Sequence, residues 1–185
     1  MRLPLILALG LGLAGCVSTG PVEDGLYYSA PRSQGAGFVS TDKTPEAVAK
    51  ILREAGLGAV RAGSASVTLS SRDLRLVDCG TYVQVAMGNR AEFPATAPEA
   101  VLMEGFTTPG LVRRVIDSRS TIRLTRAADG SGYVVSETHS VTRRYQALGS
   151  SARSKATVTF DEGSAGTFTN GSLCRSSGLV ATLLR

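Results

Sequence analysis

The sequence predicts an α+β fold: a mostly antiparallel sheet in two layers, with one N-terminal helix and one short C-terminal helix. Three observations carry that expectation. A capped amphipathic segment occupies 45–55, the apolar period downstream changes from 3.6 to 2, and a last apolar stripe closes the chain at 179–184. With 185 residues, 43% of them hydrophobic, the chain suits one domain with its own core. The same composition excludes a disordered chain, a collagen-like repeat and a small disulfide scaffold. A lone histidine excludes a multi-histidine metal site.

Each element follows from its residues. Pro45–Ala55 reads as the N-terminal helix. Thr44 supplies a capping hydroxyl, Pro45 occupies the first turn where its missing N–H costs nothing, and Glu46 faces the positive helix end. Ala47, Val48, Ile51, Leu52 and Ala55 form the apolar stripe, and Gly56 supplies the left-handed stop. Strands are then expected over Ser66–Ser70, Asp73–Asp78 and Tyr82–Met87, where apolar residues alternate. Gly88–Pro109 reads as an irregular excursion with a short strand at Ala100–Glu104. Two long alternating stretches, Val112–Arg126 and Gly132–Leu148, flank Asp129-Gly130, a hairpin signal. Lys155–Phe160 and Thr167–Thr169 complete the strands. Ser177 caps a terminal helix with Leu179, Val180, Leu183 and Leu184 on one face. No internal repeat or second domain is visible.

The N-terminus carries different information. Met1-Arg2 is a short positive start, and the apolar run Leu3–Leu13 follows. Eleven residues span about 16 Å as a helix, roughly half of a ~30 Å hydrocarbon core. That length suits the h-region of a secretory signal and is too short for a stable membrane span. Leu13-Ala14-Gly15-Cys16 then resembles the lipobox of bacterial lipoproteins. The resemblance implies cleavage before Cys16, a diacylglyceryl thioether on its sulfur, and acylation of the new N-terminus. It also implies a location: Val17 and Ser18 follow the cysteine with no Asp beside it, which in the enteric version of the class directs the protein to the outer membrane. The expected organisation is a signal peptide at 1–15, a lipidated Cys16 with a flexible Ser, Gly and Pro-rich tether at 16–37, and a periplasmic domain at 38–185. Tyr27 and Tyr28 are the tether's only large side chains, expected to dock on the domain or to insert at the lipid interface.

With Cys16 assigned to lipid, Cys79 and Cys174 remain. An oxidising compartment favours a disulfide between them over two buried thiols or a functional thiol. Charge is also uneven. Between Arg113 and Lys155 stand nine Lys and Arg against Asp117, Asp129 and Glu137, a net of +6 within a chain of net +5. A basic hairpin with Arg119, Arg123, Arg143 and Arg144 is therefore the candidate binding feature, for phosphates of lipopolysaccharide, phospholipid headgroups or an acidic protein. The competing view is a plain solvated sheet face, on which His139 is a surface or cross-strand residue. Nucleic acid fits poorly, since only Tyr133 and Tyr145 offer stacking platforms.

No GxSxG elbow, P-loop, dinucleotide fingerprint or HExxH occurs. The Ser-rich pieces at 149–151 and 176–178 read as a turn and a helix cap. Asp117 and Glu137, if they faced each other across the hairpin, would sit as salt-bridged carboxylates among arginines. The expectation is a protein without catalytic residues, cofactor or metal. It is read as an outer-membrane lipoprotein serving as an interaction module for an envelope protein partner, with anionic envelope ligands as the alternative.

Overall fold

The computed structural model describes residues 25–86, 89–96, 102–104, 110–147 and 153–185. The leader, Cys16 and the Ser-rich turn at 149–151 lie outside the described residues. The chain runs β1 (Gly25–Ser29), β2 (Phe38–Ser40), α1 (Pro45–Glu54), β3 (Ala59–Ala62), β4 (Ser66–Ser71), a 3-10 turn (Leu74–Leu76), β5 (Val77–Asp78), β6 (Thr81–Ala86) and β7 (Asn89–Pro94). It continues with β8 (Leu102–Glu104), β9 (Gly110–Arg126), β10 (Gly132–Ala147), β11 (Arg153–Asp161), β12 (Gly166–Thr167), β13 (Leu173–Ser176) and α2 (Leu179–Leu184). Every strand pairing is antiparallel. A mostly antiparallel sheet structure with two helices is the outcome.

The long hairpin organises the rest. Asp129 accepts from the Ser131 N–H and Gly130 sits at φ +73°, a geometry that closes the turn and sets the register Tyr133 opposite Arg126. The large sheet runs β11-β10-β9-β4-β3, with β2 beside β10 and β8 beside β9. Smaller sheets are β1-β6-β7 and β12-β13-β5.

Alternation then sorts the side chains. Val67, Leu69, Ile122, Leu124, Tyr133 and Val135 point to one face of the large sheet and share a core with Val48, Ala49 and Leu52 of α1 and Val180, Ala181 and Leu184 of α2. Thr44 caps α1 through its hydroxyl to the Ala47 N–H at 3.3 Å. A second cluster joins Val141, Ile116 and Phe160 to Phe168, Tyr82 and the Cys79–Cys174 disulfide.

Three local expectations need correction. Asp73–Asp78 is not one strand: Asp73 accepts from the Arg75 N–H at 2.8 Å and caps a 3-10 turn, leaving only Val77–Asp78 extended. The excursion after residue 88 contains a further strand, β7, which pairs along the whole of β6. The segment expected as tether is folded from Gly25 onward. Here β1 pairs with β6, and the Tyr28 hydroxyl shares its one proton between the Cys79 and Leu173 carbonyls and accepts from the Leu173 N–H at 2.8 Å. Of the two expected roles for Tyr28, docking is the one observed.

Candidate functional site

The two faces of the β9–β10–β11 sheet have different chemistry, and the register decides which residue lands where. Arg119 pairs with Ser140, Arg123 with Ser136 and Asp117 with Thr142, while Arg144 pairs with Val115 on one side and Lys155 on the other. These residues alternate with the buried set, so they stand together on the exposed face of the sheet. Arg61 joins them through the pairings Arg61–Thr68 and Thr68–Arg123. The outer face is thus a Ser/Thr lattice studded with Arg61, Arg119, Arg123, Arg144, Arg153 and Lys155. Among the described residues only Arg144 has a carboxylate in ion-pair range, Asp117 at 2.7 Å.

This splits the quartet expected from the sequence. Arg119, Arg123 and Arg144 share the open face, but Arg143 points the other way and is fully buried. Its guanidinium lies 3.9 Å over the Phe168 ring, donates to the Ser172 hydroxyl, and has Cys174 Sγ 3.9 Å away. No carboxylate comes within ion-pair distance among the described residues, and its Nε has no partner. Asp117 and Glu137 are likewise on opposite faces, so they do not form a carboxylate pair.

His139 is a cross-strand residue opposite Ser120, but in the interior and not at the surface. It is 0% exposed. Its ring stacks on Phe160 at 5.2 Å, and its two nitrogens bridge Glu137 and Ser120. A carboxylate can only accept, so Nε2 carries the proton toward Glu137 Oε2 at 3.1 Å, and Nδ1 accepts from the Ser120 hydroxyl at 2.8 Å. Glu137 is 4% and Ser120 3% exposed. The composition of this chain matches that of a nucleophile–base–acid relay, but its site is the interior.

Residues 35–37 close over the acidic end. A Cβ on Gly35 would stand 3.2 Å from Glu137 Oε2, and the Gly37 carbonyl accepts from the Val135 N–H. Glu162 lies beside Glu137. Burial first, and the Glu137 charge second, push its carboxyl above the ordinary carboxylate range.

On the open face three hollows follow one another. The first, about 470 Å³, is lined by Ser70, Arg72, Arg119 and Thr121 and backed by Ser120. The next, about 450 Å³, shares Arg72 and Arg119 with it and adds Ser140, Thr142, Thr157, Arg144 and Lys155 together with the carboxylate of Asp117. The third, about 540 Å³, shares Arg144 and Lys155 and adds Val115, Tyr145 and Arg153. Sequence reasoning missed Arg72 and Lys155 as members of this site. The expected register named the arginines of the hairpin but not those that β4 and β11 bring beside them.

Among the described residues, no group of His, Cys, Asp and Glu is placed to hold a metal ion, and no helix is long and apolar enough to cross a membrane. No family model matches the chain, nor does any curated protein or solved structure.

Proposed function

We propose that this chain is a non-enzymatic lipoprotein of the outer membrane, facing the periplasm. It would serve as an interaction module of a cell-envelope complex, contacting an acidic envelope protein partner through the open sheet face. The observation that carries the proposal is the gathering of Arg61, Arg119 and Arg123 on one exposed face with no carboxylate in range among the described residues, beside the pair Arg144–Asp117. Six like charges on a sheet repel one another, so the surface is complementary to an anion. In our reading the helices form the second layer, packed on the opposite face, which leaves this one for a partner.

The anchor comes from the lipobox at Cys16. If residues from Gly25 onward are docked, only the eight residues 17–24 join the acylated cysteine to the fold. Fully extended they reach about 30 Å. The domain would then work within one protein diameter of the bilayer. The Ser120–His139–Glu137 chain serves the interior in this account: it satisfies three buried polar groups at once.

In intact cells, a photo-crosslinking amino acid at Thr121 tests this reading. It is expected to capture one envelope protein, while the same probe at Lys50 on α1 captures none. Capture from Lys50 alone would overturn the assignment of the face.

A second reading has its own observation. The three neighbouring hollows share Arg72 and Arg119, then Arg144 and Lys155, so cations stand between one concavity and the next. Such a shape suits an anionic envelope ligand better than it suits a flat protein surface.

A further inference from the structure

The large sheet ends on β11, and hydrogen-bond parity decides which of that strand's backbone groups are already paired. The Glu162 N–H, just past the strand, donates to the Glu137 carbonyl of β10. In an antiparallel ladder alternate residues turn their N–H and C=O to the same side. Ser154, Ala156, Val158 and Phe160 therefore face β10, opposite Tyr145, Arg143, Val141 and His139. Arg153, Lys155, Thr157 and Thr159 turn theirs outward, where no further strand follows in the sheet. Among the described residues these outward groups have no backbone partner. Only the Asp161 end is closed: the Ser164 hydroxyl accepts from the Asp161 N–H at 3.0 Å and donates to its carbonyl at 2.8 Å.

The ends of this open edge carry opposite charges. Arg153 begins it and Asp161 finishes it, both exposed and neither with an ion-pair partner among the described residues. Such a strand is complementary to itself. We propose that β11 joins a second copy of this chain edge to edge, antiparallel and centred on Thr157, so that two large sheets become one. In that register Thr157 meets its own counterpart and Lys155 meets Thr159 of the second copy. Arg153 meets Asp161 of the second copy at both ends, and the outward groups of 155, 157 and 159 form the ladder. An edge lysine ordinarily discourages pairing. Here the two Lys155 stand four residues apart along the strands, about 13 Å, more than the Debye length of about 8 Å in physiological salt. Sliding the copies toward Arg153 sets the two lysines diagonally adjacent and loses both ion pairs; sliding toward Asp161 shortens the ladder. A nine-residue edge buries less than a standard interface, so the dimer is weak in dilute solution and gains where chains are held in one plane. The pairing leaves the basic face open and does not rest on what that face binds.

Crosslinking in cells and sedimentation of the full chain test the proposal. In cells making the full chain, Thr157→Cys is expected to give a disulfide-linked dimer under mild oxidant, because the paired Cα atoms would lie about 5.5 Å apart. Thr159→Cys, whose counterpart lies farther off, is expected not to crosslink. In detergent, sedimentation equilibrium of the purified full chain is expected to show a reversible dimer. Thr157→Pro removes an outward N–H that an edge strand can spare. It is expected to keep the melting temperature and to weaken the dimer about tenfold, one ladder donor being lost from each copy. Arg153→Asp and Asp161→Arg are each expected to weaken it about tenfold, through two pairs per dimer, and the combined variant to restore it. A parent that is monomeric at every concentration would overturn the proposal. So would equal crosslinking from Thr159→Cys and Thr157→Cys, or a combined variant no better than the singles. A disulfide from Thr157→Cys to a different protein, in place of a second copy, would give the edge to a foreign strand and overturn it too. If Thr157→Pro fails to fold, the crosslinking and the charge exchange decide.

Discussion

Arg143 and Arg144 are neighbours in the chain and lie on opposite sides of one sheet. Arg143 is buried with its guanidinium 3.9 Å over the Phe168 ring, and Arg144 meets Asp117 in solvent at 2.7 Å. The two-residue period of a strand permits nothing else. It also separates the molecule's charges into an internal set that holds the core and an external set available to a partner.

The Tyr28 hydroxyl adds to the β1–β6 ladder in docking β1. Tyr28→Phe leaves the Leu173 N–H and two carbonyls without their partner, at an expected cost of about 1–3 kcal/mol in chemical denaturation. Limited proteolysis of the parent is expected to cut before Gly25 and to spare 25–40. Ready cleavage at 30–37 would restore the long tether expected from composition.

The Ser120–His139–Glu137 chain is expected to behave as a unit. Glu137→Ala strands the Nε2–H of a fully buried ring and should cost about 3 kcal/mol; Ser120→Ala should cost about 1 kcal/mol. Replacing the whole set together, Ser120→Ala with His139→Phe and Glu137→Leu, should cost less than Glu137→Ala alone, because no polar group is then left unmatched. Denaturant melts of the three variants decide it. Greater destabilisation in the triple variant would contradict the structural role.

Glu162 gives a pH dependence with a definite sign. Its carboxyl is raised in the folded state by burial and by Glu137, so the folded form holds a proton more tightly than the unfolded one. The ionised side chain therefore costs stability above its folded pKa, and that cost fades as pH falls through it. Glu162→Gln is expected to raise the melting temperature at pH 7 and to leave it unchanged at about pH 3, below the ordinary carboxylate range. A melting temperature lowered at pH 7 would contradict the assignment.

The Cys79–Cys174 bridge joins residues 95 apart and seals the second core cluster. Loss of both sulfurs in Cys79→Ser/Cys174→Ser is expected to cost about 2–5 kcal/mol. The loss should be visible as a lower denaturation midpoint, and reductant should shift the parent in the same direction. Equal midpoints with and without reductant would show that the bridge does not hold the fold.

Much of this architecture was legible. The hairpin declared itself because alternation ran for fifteen residues before Asp129-Gly130 and seventeen after it, and α1 because Thr44, Pro45 and Gly56 punctuate its stripe. The strands β1, β3 and β7 were not, since GLYYS, AVRA and NRAEFP are short and β7 is exposed on both faces, so none shows a period. The site was half legible. Its arginines were visible, but polarity led to His139 and Arg143 being set on the solvated side. Their parity held the contrary signal: both share the odd positions of Tyr133, Val135 and Val141, as Ser118 and Ser120 share the even positions of Ile116 and Ile122. A strand whose apolar members fix the inner face carries its polar members inward with them. Arg72 and Lys155 needed the tertiary pairing and had no local mark.

We propose that this basic face works at a membrane surface to which its own chain is fixed. Intact mass measurement of the native protein extracted from membranes addresses that directly. It should show a chain beginning at Cys16, heavier than the polypeptide by a diacylglyceryl group and one further acyl chain, with Cys79 and Cys174 inert to alkylation. An unmodified chain starting at Met1, with its sulfurs open to alkylating reagent, would contradict it.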